Sequence, residues 1–122
     1  MNKELLYDLS HLEEMLGGDK EAKLQMVNIF LKSTPETLSA LNESYEAGNL
    51  EGTAKMAHKL KASIDIFDIS FLKADIRELI TLAREERDKE RIDDLMTRVN
   101  DILGKAIDQV ADYRIELEQE VS

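Results

Sequence analysis

The sequence predicts an all-α fold, an antiparallel four-helix bundle with a short additional N-terminal helix. The composition is the first reason: 34% of residues are charged, only five are Gly and one is Pro, which leaves little punctuation for a many-stranded fold. The second is periodicity, because apolar residues recur at helical spacing along most of the chain. The third is length. At 122 residues, with 43% hydrophobic and 5% aromatic residues and no Trp, the chain is the size of one domain built on aliphatic side chains. No repeat, low-complexity stretch or linker divides it, so residues 1–122 are expected to form one unit.

Ser10-His11-Leu12-Glu13 has the Ser-x-x-Glu form of a capping box. A short helix is expected from there through Leu16, stopping at Gly17-Gly18, where positive φ carries no steric cost. Asp19 caps the second helix, whose apolar positions Leu24, Val27, Phe30, Leu31, Leu38, Leu41 and Tyr45 keep one period on both sides of Pro35. Proline removes a donor and crowds the preceding turn, so the helix either kinks at Pro35 or restarts there; a kinked continuous helix is the favoured reading. Gly48-Asn49 stops this element and caps a third helix from about Leu50 to Phe67.

Ser70 is the expected cap of a fourth helix running to about Arg87, with Phe71, Leu72, Ile76, Leu79, Ile80 and Ala83 on its inner face. The last helix starts near Asp88 and carries the clearest stripe: Ile92, Leu95, Met96, Val99, Ile102, Leu103, Ala106, Ile107, Val110 and Tyr113. Beyond Tyr113 the segment is expected to fray. Met15, Met26, Met56 and Met96 fit core or near-core positions.

The formal net charge of −10 argues against nucleic acid and anionic lipid as partners. No apolar run is long enough to span a membrane, and the N-terminal MNKELLYDLS lacks the form of a signal peptide. With no Cys, disulfide and thiol chemistry is excluded, which fits a cytoplasmic protein.

One stretch breaks the acidic pattern. Between Ala54 and Ile64 there are three lysines (Lys55, Lys59 and Lys61) and no acid. On a helical wheel, Thr53, Met56, Leu60, Ser63, Ile64 and Phe67 form a core face. Within about 60° of His58, on the opposite side, lie Ala54, Lys55, Lys61, Ala62 and Asp65. His58 is therefore expected to face solvent, with Ala54 and Ala62 one turn away on either side leaving the ring accessible. Exposed imidazoles are substantially neutral near pH 7, so one ring nitrogen keeps a nucleophilic lone pair. A phosphoryl group on it would bring about two negative charges, which Lys55 and Lys61, at i−3 and i+3, could offset. An exposed histidine among lysines is also what an ordinary solvated face looks like, so periodicity alone names no reaction.

Ala57-His58-Lys59-Leu60-Lys61-Ala62-Ser63 resembles the A-H-x-L-K-G-[SA] motif of the histidine-phosphotransfer (HPt) domains of two-component phosphorelays. Tyr7-Asp-Leu-Ser10 followed by Gly17-Gly-Asp19, then Phe30-Leu31 with Pro35-x-x-Leu38, and Ala47-Gly-Asn49 before the histidine helix are similar to that family in order and spacing. The resemblance covers about residues 5–85. It implies that His58 is the phosphoacceptor, modified at the ring nitrogen remote from the backbone, that Lys61 stabilises the phosphoryl group, and that Leu60 is a core anchor. Lys55 and Lys59 are not fixed by the motif; their assignment as phosphoryl-stabilising rests on charge. Two positions depart from the pattern: Ala62 stands where the family usually has Gly, and Asp68 where it often has Gly at the following turn.

The implied partners are receiver domains of hybrid sensor kinases and response regulators, whose phosphorylated aspartate and bound Mg²⁺ supply the catalytic apparatus. The chain itself shows no nucleotide motif, Gly-rich phosphate loop or acidic cluster near His58, so no cofactor, no metal and no enzyme activity of its own are expected. The alternative is an HPt-like binding module that is not phosphorylated. A metal-dependent bundle enzyme would need Glu-x-x-His pairs, whereas Asp8 and Lys55 precede His11 and His58 at i−3. Glu13-Glu14, Glu85-Glu86 and Asp93-Asp94 point about 100° apart within each pair and cannot converge. Nothing demands a dimer, and a monomer is expected.

Overall fold

The computed structural model describes residues 4–121, and five helices follow in order: α1 (Ser10–Leu16), α2 (Lys20–Glu46), α3 (Leu50–Ile66), α4 (Ser70–Glu85) and α5 (Lys89–Val121). Three-residue connections join α2 through α5, so consecutive helices run antiparallel. α3 packs between α2 and α4, α5 packs against the other flanks of those two, and α1 rests on α2. α3 and α5 are therefore diagonal across the bundle. The core is aliphatic, with Val27, Leu41, Ile64, Ile76, Leu79, Leu95, Val99 and Leu103 fully buried, and Phe30 stacked on Phe67 at 4.2 Å between ring centroids.

Side-chain caps set the starts of three helices. The carboxylate of Asp19 accepts from the Ala22 N–H at 3.1 Å, Asn49 Oδ1 from Gly52 at 2.9 Å, and Asp88 Oδ1 from Arg91 at 3.3 Å. Gly52 has to be small: a Cβ there would lie 2.6 Å from Asn49 Nδ2 and 2.9 Å from Ser44 Oγ, displacing the cap. Two expected caps are not formed. α1 begins at Ser10 itself, whose N–H is held by Asp8 Oδ1 at 2.8 Å, so a local Asp turn replaces the Ser10–Glu13 capping box. α4 likewise starts at Ser70 behind Ile69, and no side chain caps it.

α2 continues unbroken through Pro35. Thr34 beside it is buried and donates from Oγ1 to Ser63 Oγ at 3.3 Å, tying this part of α2 to α3. α5 does not end near Tyr113; it stays helical to Val121, and Leu117 is fully buried. The expected fraying counted polar residues and missed one leucine that reaches the core. Ser122 lies outside the described residues. Phe71 and Met15, expected to face inward, are 47% and 56% exposed, because each sits in a first or last turn that overhangs the core edge.

Across the seam between α2 and α5, the amides of Asn42 and Asn100 bond to each other reciprocally at 2.8 and 2.9 Å. Between α4 and α5, Arg91 grips Glu78 through two nitrogens, each at 2.8 Å, and Arg98 reaches Asp75 at 2.7 Å. The N-terminal segment is fastened across the end of the bundle by Asp8 N–H to the Phe67 carbonyl at 3.0 Å and Leu6 N–H to Gln109 Oε1 at 2.8 Å.

Candidate functional site

α3 places His58 as expected. Ala57 and Leu60 on either side are buried at 0% and 1% exposure, which fixes the helix against the core and turns the intervening imidazole outward, where it is exposed. Thr53, Ile64 and Phe67 join the buried face, with Met56 and Ser63 at its margin. Ala62, one turn beyond His58, is exposed and puts only a methyl group beside the ring.

Ala54 is a correction. It is 3% exposed, because α4 covers that flank of α3; Ala54 and Ala83 line one shallow cleft between the two helices. Its small size lets α4 approach and does not clear a path to His58. A single-helix wheel divides residues into inside and outside, whereas α3 has a neighbour on each side. Asp65, on the same flank, is half-buried and paired with Arg77 of α4 at 2.8 Å, so its charge is answered within the protein.

The three lysines differ in placement. Lys55 and Lys59 are exposed and line a shallow depression together with His58, Met56 and Arg84. Lys61 is half-buried and lies outside the lining of that depression, one turn further along α3. Arg84, in the last turn of α4, was not among the residues expected from the sequence. Nothing in local spacing could point to it, since it lines the same depression as His58 only through the packing of α4 on α3.

The ion-pair pattern sets this cluster apart. Lys20, Lys23, Lys73, Arg77, Arg87, Lys89, Arg91, Arg98, Lys105 and Arg114 each form an ion pair with a carboxylate. Among the described residues, Lys55, Lys59, Lys61 and Arg84 form none, and Lys32 is the one other cation of which this holds. In a chain with net charge −10, unanswered positive charge collects around one imidazole. Such a site favours an incoming anion. Among the described residues no group of three His, Cys, Asp or Glu gathers to hold a metal ion, and no helix is long and apolar enough to cross a membrane.

The helical bundle thus turns the His58 imidazole outward beside cations that form no ion pair. The Hpt domain family model matches residues 25–119, and the chain belongs to that family. Comparison with curated proteins and with solved structures returns no significant match. Domains of this family serve histidine phosphotransfer in phosphorelays, where they interact with receiver domains.

Proposed function

We propose that His58 accepts a phosphoryl group from the aspartate of one receiver domain and passes it to the aspartate of another. The observation that carries this reading is that His58 is the only histidine within the matched residues 25–119, and it is exposed. His11, the other histidine, lies outside that range on α1 and is given no role.

The chemistry asks little of this chain. The lone pair on His58 Nε2 attacks phosphorus, the Nε2–P bond forms, and the P–O bond to the donor aspartate breaks with its electrons leaving on the carboxylate. Return transfer reverses the roles. Lys55, Lys59 and Lys61 offset the dianion that arrives, and Ala62 keeps the approach to the ring low. The receiver supplies the remaining catalytic groups, so the chain acts as a carrier and not as an enzyme. The same reading makes it a cytoplasmic phosphoprotein, working as one domain over residues 1–122 and as a monomer; the absence of Cys from the sequence supports the compartment.

Incubation with a phosphorylated receiver domain tests this. The native protein should acquire acid-labile label and His58→Gln none, since glutamine keeps the polarity without the nucleophile. A folded native protein that binds the receiver but takes no label would instead be a docking module.

A further inference from the structure

We propose that the cleft where the N-terminal segment meets the start of α4 is a docking site for a partner segment that carries apolar side chains flanked by lysine or arginine. The cleft encloses about 600 Å³ and is walled by residues 4–9, the first turn of α4 and Tyr113 of α5. It lies apart from His58. Phe71 lines it from the first turn of α4, whereas Arg84, which lines the depression around the imidazole, sits in the last turn, about 20 Å along the same helix. The inference goes beyond the carrier role and does not depend on it.

Two observations identify the occupant. The first is apolar surface left in water. Leu5 and Phe71, 61% and 47% exposed, both line the cleft, together with Tyr7 and Tyr113, whose ring centroids lie 6.2 Å apart. Large apolar side chains gathered in one concavity, and not scattered singly, are what a binding surface offers. The second is charge. Glu4, Asp8, Glu13 and Asp68 line the cleft, and among the described residues no Lys or Arg does. Glu13 and Asp68 are answered by Lys23 and Lys73, but Glu4 and Asp8 form no ion pair among the described residues. The complement of an apolar cleft with an acidic rim is an apolar segment with basic flanks.

Charge also sorts the rival occupants. A second copy of this chain carries a net charge of −10 and is repelled overall, as are nucleic acid and anionic lipid. A receiver arriving at His58 meets cations at the other end of α4, so the two sites suit surfaces of opposite sign. The cleft is also held in shape. Gln109 Oε1 accepts from the Leu6 N–H at 2.8 Å, its Nε2 donates to the Glu4 carbonyl at 2.9 Å, and the Phe67 carbonyl accepts from the Asp8 N–H at 3.0 Å. Walls that need no ordering on binding leave more of the contact energy as affinity.

Fluorescence anisotropy with two dye-labelled peptides of about ten residues tests this, one with a central Leu-Phe pair flanked by lysines and one with glutamines in place of the lysines. The lysine peptide should bind the native protein with a Kd of about 10–100 µM, and the glutamine peptide at least about tenfold more weakly. Leu5→Ser and Phe71→Ser should each weaken the lysine peptide about tenfold, and Glu4→Gln about threefold. Ile29→Ser, which removes an exposed apolar side chain of α2 outside the cleft, should change nothing. All four variants should melt within about 3 °C of the native protein. No binding, equal binding of the two peptides, or full affinity in both Leu5→Ser and Phe71→Ser would overturn the site. So would sedimentation showing that the native protein dimerises and Phe71→Ser does not, since a second copy would then cover the cleft. His58→Gln should bind the lysine peptide as tightly as the native protein does. A failure of phosphoryl transfer therefore leaves this inference standing, and a failure of peptide binding leaves the carrier role standing.

Discussion

Replacing Ala62 with tryptophan places a large side chain where the proposed transfer would bring a docked receiver. Side chains on an α-helix lean toward its N-terminus, so a residue at position 62 stands over the turn that carries His58. Their Cβ atoms are about 5–6 Å apart, a distance an indole covers. An aromatic ring is about 3.5 Å thick in van der Waals contact, and displacing reacting groups by only 1 Å can cost about 100-fold in rate. Ala62 is exposed, so the fold should tolerate the change to within about 0.5–1 kcal/mol. Transfer from a phosphorylated receiver to Ala62→Trp should therefore slow by at least about 100-fold. Labelling by phosphoramidate should stay within about tenfold of native, because a small donor can still enter from the side of Lys55 and Arg84. Rapid-quench measurement of both reactions separates blocked docking from a damaged nucleophile. Receiver transfer at the native rate would refute the placement of the docking approach over Ala62.

Ala54→Leu should act in the opposite way. Its side chain must fit under α4, so it should cost about 1–3 kcal/mol by overpacking in urea unfolding, and a neutral result would show that the seam is looser than the 3% exposure of Ala54 implies. Leu117→Ala should cost at least about 2 kcal/mol, or about 8 °C in Tm; a loss below about 0.5 kcal/mol would mean that the end of α5 does not pack in solution. The hydrogen bond from Arg91 holds the Glu78 carboxyl below its ordinary value of 4.5, so the stability it contributes is present above that pH and is lost as pH falls through the lowered value. The difference in Tm between native protein and Glu78→Gln should accordingly be seen at pH 7 and shrink as pH falls below 4.5. A difference that stayed constant across that range would argue against the pair.

The sequence carried the helices and the outward placement of His58, because both are properties of one helix at a time. Apolar spacing reports which side of α5 is inside, and the wheel of α3 turns His58 outward whatever surrounds it. What it could not carry was the relation between helices. Ala54 reads as surface on its own wheel and becomes buried only once α4 lies on it. Arg84 reads as an ordinary end-of-helix cation and lines the same depression as His58 through the same contact. Cap choice failed for a related reason. Ser10 and Ser70 are good caps in isolation, but α1 starts from the Asp8 turn and α4 directly behind buried Ile69. Leu117 was obscured by the acidic residues around it, since a lone leucine gives a weak periodic signal.

The reciprocal amides of Asn42 and Asn100 have a consequence for where His58 sits. Stripes of leucine and valine are forgiving, and two helices that slip past each other by one turn, about 5.4 Å, can rebury much of the same oil. Paired amides do not forgive such a slip, because both would lose their mates inside a half-dry seam. They act as a vernier mark between α2 and α5. α3 takes its own height from α2 through Thr34 and Ser63, so the mark also sets how far along the bundle the imidazole stands when a receiver arrives.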